Sequence, residues 1–238
     1  MFDPFKDFEQ AGYLRNHFKE KDPEIIRELE HTMFRAGLDE ALEYLSKCKE
    51  IEYTSFLNVH QILFSEFYPW AGQDRLSTAP DSAVSKADTM FCHPHDIRRA
   101  VDEGLRLGQD KQFMRTRPGE VMGYFAYGHP FLDGNGRSML LIHSELCHRA
   151  DFCIAWQHTN KINYLTALSQ EIASPGKGLL DTYLTTFIRE SSERVTWEVS
   201  INDIQGLDGS SLQNSVEGDY SDARIMAKYE EFEYKRNS

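Results

Sequence analysis

Residues 129–137 read HPFLDGNGR: a histidine, an aspartate, an asparagine and an arginine threaded with two glycines. How this stretch folds decides how the chain around it folds. Asp133-Gly134 and Asn135-Gly136 are both strong hairpin-turn signals, and on the dipeptides alone a tight β-turn and a loop between helices are equally open. The flanks favour helices. GEVMGYFAYG (119–128) comes before, and in SMLLIHSELCHRA (138–150) Met139, Ile142, Leu146 and Ala150 recur every three or four residues, a helical stripe and not the alternation of a strand.

A loop that ends in glycines just before a helix suits an anion. Glycines let backbone N–H groups converge, and the helix N-terminus adds partial positive charge. Arg137, in the first helical turn, opposes the helix dipole unless an anion sits there, and its planar donor fork matches phosphate. Asp133 is a hard oxygen ligand of the kind that holds Mg²⁺ shared with substrate phosphates. His129 belongs to the residue type that exchanges protons near neutrality and can take one from a hydroxyl. Base, metal ligand and anion cradle fall within one short loop.

Working outward, apolar periodicity predicts a helix over 22–47, opened by Asp22-Pro23, with Ile25, Ile26, Leu29, Met33, Leu38, Ala41, Leu42 and Leu45 as its stripe. A second is predicted over 53–67, ended by Tyr68-Pro69 and Gly72. Residues 74–94 are polar and turn-rich and read as an exposed hairpin or loop. Further helices are predicted over 95–107, 118–127, 138–149, 162–172 and 179–193, so the class is mainly α. Residues 197–222 read as turn-rich and 223–236 as a charged amphipathic helix, together a C-terminal extension covering the core.

With 238 residues and 27% charged side chains the composition is that of a globular protein with one good-sized domain. The formal net charge of −12 argues against sequence-independent nucleic-acid binding. No apolar run is long enough to span a bilayer, and the first residues lack a signal-peptide pattern, so a cytoplasmic location is expected, with export by another signal left open. Cys48, Cys92, Cys147 and Cys153 are scattered and are read as reduced, mostly buried thiols. Neither Cys92-His93-Pro94-His95 nor the group His143, Cys147 and His148 has the spacing of a structural zinc site. Oligomeric state is not readable.

HPFLDGNGR resembles the signature of the Fic family, HPFxDGNGRxxR, from His129 through Arg137. YPWAGQDR (68–75) resembles the segment before that family's target-docking flap, and GYLRNHFKEKDPEIIRELE (12–30) its usual domain start. The resemblance covers roughly residues 12–190. It implies a Fic-type helical core with a small β-hairpin flap, here a domain over 12–195 between a short N-terminal segment (1–11) and a C-terminal extension (196–238). It further implies transfer of AMP from ATP, with Mg²⁺, to a Ser, Thr or Tyr hydroxyl of a target protein. His129 would deprotonate the hydroxyl and Asp133 would hold Mg²⁺. Gly134, Asn135 and Gly136 would cradle the phosphates, and Arg137 would neutralise the departing pyrophosphate. Pro130 would stiffen the loop's entry and Phe131 would anchor it. Residues 78–91 would form the flap, with Lys86 and Phe91 its candidates for target docking, and Asn163 and Tyr164 would approach the base.

One position departs from the family pattern. Leu140 stands where the family has a second arginine, which binds the γ-phosphate and in autoinhibited members pairs with an inhibitory glutamate. The expectation is weakened ATP binding or another phosphate-containing donor, such as another nucleoside triphosphate or a phosphocholine donor; a non-catalytic nucleotide- or partner-binding module is the rival. The nearest approach to the inhibitory motif is Glu217-Gly218, which lacks the preceding hydroxyl because Gln213 stands there.

Overall fold

The computed structural model describes residues 15–86, 89–191, 194–197, 201, 204 and 215–237. It is mainly helical, as the periodicity predicts. Helix α1 (Pro23–Lys47) starts at Asp22, whose side chain accepts from the N–H groups of Glu24 and Ile25, with Pro23 in the first turn. Its buried stripe is Ile26, Glu30, Phe34, Leu38, Ala41 and Leu45. That stripe runs one position off the predicted one near the start: Ile25 is 44% exposed, and a glutamate takes a place between Ile26 and Phe34. Helix α2 (Tyr53–Phe64) opens on a reciprocal cap between Glu52 and Ser55 and packs along α1.

The segment 74–94 contains one helical turn, α3 (Arg75–Thr78), capped by Asp74, and then strands β1 (Ser82–Lys86) and β2 (Thr89–Met90). Next come α4 (Ile97–Gly108), α5 (Lys111–Thr116), α6 (Pro118–Gly128) and α7 (Asn135–Arg149). Helix α7 begins at Asn135, three residues earlier than its apolar stripe suggests. It runs through the middle of the molecule and is buried on most sides. Helix α6 lies against α4 so closely that a Cβ on Gly104 would come within 2.7 Å of the Phe125 ring.

After β3 (Phe152–Ile154), α8 (Lys161–Ala173) is capped by Asn160, whose side chain accepts from the Asn163 N–H. The helix predicted over 179–193 is a correction. Helix α9 (Leu179–Leu184) stops after its second turn, where Thr185 and Thr186 donate their hydroxyls back to the carbonyls of Asp181 and Tyr183. The chain then becomes β4 (Ile188–Glu190), antiparallel to β3. Such back-bonding by β-branched residues competes with helix continuation, and pairing with β3 supplies the ladder instead.

The C-terminal extension is more ordered than its turn-rich reading suggests. Strand β5 (Ser215–Asp219) joins the hairpin, giving a sheet of order β2–β1–β5, all antiparallel, with a bulge at Ala83/Val84. Helix α10 (Ala223–Arg236) packs Ile225, Met226, Tyr229 and Phe232 against Ala83, Met90 and Tyr220. The Tyr127 hydroxyl donates to Glu233 of this helix at 2.6 Å. The first 14 residues and most of 198–214 lie outside the described residues. Among the described residues no helix is long and apolar enough to cross a membrane.

Candidate active site

The site grows from the junction of α6 and α7. His129 caps α6 with φ +41° and ψ +61°, the left-handed region that a β-carbon resists. Arg75 holds it there. The fully buried guanidinium donates from Nε to the His129 carbonyl at 2.7 Å, and from Nη2 to the carbonyls of Cys92 at 3.0 Å and Gly128 at 3.4 Å. Its backbone N–H donates to the Pro130 carbonyl at 2.7 Å. Three consecutive carbonyls at the start of the loop, 128 to 130, and the Cys92 carbonyl after the hairpin thus converge on one arginine. The His129 ring lies flat on Phe91, centroids 3.5 Å apart and planes 5° from parallel.

The loop then closes on itself. Asn135 donates from Nδ2 to the Phe131 carbonyl at 2.7 Å and accepts from the Phe131 N–H at 2.8 Å through Oδ1. Both ends of the amide are used, so what Asn135 offers a phosphate is its backbone N–H, one of the donors a first helical turn leaves without an intrahelical partner. Phe131 is wholly buried and stacks on His60, ring centroids 3.8 Å apart. His60 Nδ1 accepts from the Gly72 N–H at 2.9 Å, leaving Nε2 to donate to the Asp133 carbonyl at 3.1 Å. Burial depresses the His60 pKa to about 3, only partly opposed by that hydrogen bond, so the ring is neutral.

The two loop glycines do different things. Gly134 has φ +74°, and a Cβ there would lie 2.5 Å from the Phe64 ring. A Cβ on Gly136 would meet nothing within 4 Å. The first glycine is required by the protein; the second keeps space open on the side where a ligand would lie.

Arg137 points down, not out. Its guanidinium is buried above the rings of Phe64 (4.7 Å) and Phe34 (5.7 Å), with Nη2 2.7 Å from Glu30 Oε1 and 3.8 Å from Asp133 Oδ1. Its Nη1 is buried with no hydrogen-bond partner among the described residues. Burial pushes the Glu30 carboxyl up to about 7 against the pull of the Arg137 charge. Arg137, which burial alone would lower, is held above its ordinary value by Glu30 and Asp133.

Asp133 keeps its side chain 42% exposed, and its Oδ1 accepts from the Gly134 N–H at 2.6 Å. Among the described residues no group of three or more His, Cys, Asp or Glu side chains could hold a metal ion. A single exposed carboxylate oxygen is a poor cage but a fitting ligand for Mg²⁺, which keeps its waters and takes the rest of its oxygens from a substrate's phosphates. The residues fit that ion.

Beside the loop lies a cavity of about 340 Å³. His129, Asn135, Gly136 and Leu140 form one wall, Lys86, Thr89 and Phe91 of the hairpin another, and Lys161, Tyr164 and Leu168 of α8 a third. Of the sequence candidates, Tyr164, Lys86 and Phe91 therefore share the cavity with His129. Asn163 does not; it is exposed, its N–H taken by the Asn160 cap. Arg137 also stays out of the cavity wall. Leu140, 5% exposed, takes its place within that wall. Glu217 sits on β5, bonded to Ser85 and paired with Lys228 at 2.6 Å, in the sheet and not at the loop.

Sequence reasoning missed Glu30, His60 and the role of Arg75. A carboxylate placed in an apolar stripe between Ile26 and Phe34 was the available signal for Glu30. Arg75 stands out in the sequence only as the end of the segment 68–75, and His60 carries no signal there beyond its place in a helix.

The Fic/DOC family model matches residues 50–147. Among curated proteins, the chain is similar to a probable protein adenylyltransferase, y4lH, of Sinorhizobium fredii, 28% identical over 151 residues, which are 58% of this chain and 72% of that protein. It is also similar to the protein adenylyltransferase VbhT of Bartonella schoenbuchensis, 26% identical over 167 residues; the match spans 67% of this chain but only 34% of VbhT. Among solved structures, the BepC effector of Bartonella tribocorum with bound AMPPNP superposes with a TM-score of 0.64 over 77% of this chain and 95% of that one, at 16% identity. A Fic domain from Bartonella quintana with bound ADP also gives 0.64, over 79% and 96%, at 18% identity. At those identities the structural likeness is one of fold.

Proposed function

Residues 50–147 are a Fic/DOC family domain, and on that premise we propose that the protein is a protein adenylyltransferase, moving AMP from ATP to a Ser, Thr or Tyr hydroxyl of a target protein. The observation that carries this reading is that His129, Asn135 and Gly136 line one cavity, with Asp133 in the same loop. A histidine and first-turn N–H groups then border one space, with a carboxylate in the same loop, which supports the reading.

The chemistry follows from that arrangement. The target hydroxyl oxygen attacks the α-phosphorus while its proton passes to the His129 imidazole. The bond from the α-phosphorus to the bridging oxygen breaks, and pyrophosphate leaves with the electron pair. Backbone N–H groups of Asn135 and Gly136 stabilise the charge that develops on the phosphoryl oxygens, while that of Gly134 is held by Asp133. When bound at Asp133, Mg²⁺ would neutralise phosphate charge and fix the donor's orientation. Arg75 and Asn135 keep the loop from relaxing, and the stack on Phe91 fixes the plane of the base.

Incubation with α-labelled ATP and candidate target proteins tests the reading. The expected result is a labelled protein band that requires Mg²⁺ and drops by roughly a thousandfold in His129→Ala, the range a positioned base contributes. Undiminished labelling by His129→Ala would remove the proposed base. Because Leu140 lines the cavity, labelled GTP, CTP, UTP and a phosphocholine donor belong in the same assay. Labelling from one of those alone reassigns the donor, and binding without any labelling favours a non-catalytic module.

A further inference from the structure

The stack on His129 suits the charged form of its ring better than the neutral one. The Phe91 and His129 rings lie 3.5 Å apart between centroids and 5° from parallel, so they overlap almost fully. Two neutral aromatic rings disfavour such a sandwich and settle offset or edge to face, because each presents a negative face to the other. A positive charge over a ring face is attracted by that same negative charge. The pair is therefore matched to imidazolium, the form His129 takes once a target's proton has arrived.

The backbone holds this contact from both sides. The Phe91 N–H donates to the Val84 carbonyl of β1 at 3.1 Å, and the Cys92 N–H donates to the Tyr127 carbonyl of α6 at 3.0 Å. Arg75 bonds the carbonyl of Cys92, next to Phe91, at 3.0 Å and the carbonyl of His129 itself at 2.7 Å. One guanidinium thus ties together the two stretches of chain that carry the rings, and sliding to an offset stack would strain these bonds. His60 stacks on Phe131 as well, at 3.8 Å and 18°, but its Nδ1 accepts from the Gly72 N–H, and a proton there would break that bond. Among these two stacks, only that of His129 borders the cavity.

We propose that Phe91 is a positioning residue that makes His129 a stronger base, by holding its ring face against the imidazolium formed as the proton leaves the target hydroxyl. The inference rests on the reading of His129 as the base and adds what sets its affinity for the proton. Among the described residues, the charged groups around it are Lys86 of β1 and Lys161 of α8, which share its cavity, Arg75 of α3 on its carbonyl, and Asp133 and Arg137 farther along its loop. Four of these five are cations and oppose a further positive charge. The Cys92 thiol, which bonds the Gly128 carbonyl, is pushed up to about 12 by burial and stays neutral. All of these groups remain when only the Phe91 side chain is changed, so such a change reports the stack.

Nuclear magnetic resonance of the full chain with isotope-labelled histidine tests it, the His129 ring signal being the one lost in His129→Ala. Phe91→Leu, which keeps the apolar bulk, should lower the His129 titration midpoint by about 0.5–1 pH unit, a three- to tenfold loss of proton affinity. Phe91→Tyr keeps the ring face and should leave the midpoint in place. Looser packing alone admits water, which favours the charged form and raises the midpoint, so a merely structural Phe91 predicts the opposite sign. A pentafluorophenyl ring at position 91 keeps the shape, and with it the fold, and reverses the charge of the face; it should lower the midpoint further than leucine does. In the α-labelled ATP assay the acid limb of the labelling rate should move down by the same amount. A midpoint that stays or rises in either Phe91→Leu or the fluorinated protein would overturn the inference, even if His129-dependent labelling stands. A midpoint that falls as expected, with no labelling from any donor, would keep the stack and remove the adenylyltransferase reading instead.

Discussion

The cavity has a floor and a wall, and they are built differently. The floor is the 129–137 loop on α1 and α2. There Arg75, His60, Phe131 and Asn135 are buried or nearly so, and most of their polar groups bond to backbone atoms of the loop, of Gly72 and of the hairpin's end. The wall is the hairpin with β5, and α8. There Lys86 and Lys161 are half-buried and Asn163 is exposed. Buried, satisfied polar groups fix a geometry, because any displacement leaves a donor or acceptor unpaired in low dielectric. Half-buried and exposed side chains cost less to move, because water can replace the partner they leave. The difference teaches that one side is fixed by its own hydrogen bonds and the other keeps room to adjust.

Substitutions should break this contrast in graded steps. Arg75→Met removes the donor from three carbonyls at once and should cost roughly 3–5 kcal/mol, as loss of one partner in a buried polar network does, read as a lowered denaturant midpoint. A loss under 1 kcal/mol would mean that the floor does not depend on that brace. Gly134→Ala forces a β-carbon into the Phe64 ring at positive φ, and about 2–3 kcal/mol of destabilisation is expected from the strain and the overlap together.

Acid probes the same side. His60 is depressed to about 3 and His143 to about 4, both by burial, so from pH 6.5 downward the unfolded chain takes up protons that the folded chain refuses. Glu30, raised to about 7 by burial, works the other way: the folded chain keeps its proton between 4.5 and 7 where the unfolded chain releases it. The three groups leave one net proton in favour of the unfolded state, so stability should fall by about 1.4 kcal/mol per pH unit from pH 6.5 to 4.5. In Glu30→Gln the opposing group is gone and the slope should approach about 2.8 kcal/mol per unit. Denaturation at three pH values measures both; identical slopes would exclude Glu30 as the counterweight.

The smallest effects separate stability from binding. Gly136→Ala lies in a helix with open space at its Cβ, so stability should rise by up to about 1 kcal/mol on helix propensity. Nucleotide affinity should nevertheless fall, because the added methyl occupies ligand space. Unchanged affinity would show that the space beside Gly136 is not where a donor lies. On the wall, Lys161→Ala should alter thermal stability by no more than about 0.5 kcal/mol.

This difference also explains what could be read from sequence. The loop's residues are contiguous, so His129, Asp133 and the glycines announce themselves together, and helical flanks locate them. The brace comes from far away: Arg75 is 54 positions from His129, and His60 is 73 from Asp133. A lone histidine or arginine in a helix looks the same whether it faces water or the underside of a loop. Glu30 was within reach, since a carboxylate in an apolar stripe asks for a buried cation. The role expected of Arg137 followed from its place in the motif, and its packing against Glu30 depends on a helix outside that motif. β5 was not legible because a five-residue strand needs an edge to pair with, and that edge lies on a distant hairpin.

That pairing has a consequence for the order in which the molecule is made. Ser85 and Glu217, bonded across β1 and β5, are 132 residues apart in the chain. Domains emerge from the ribosome N-terminal end first, and contacts of long sequence separation form late. The 129–137 loop and its brace are complete once α7 has emerged, whereas the hairpin waits for residues 215–219 before its outer edge is covered. During synthesis the newborn protein therefore passes through a stage that already holds His129 in place and still shows a bare strand edge beside it.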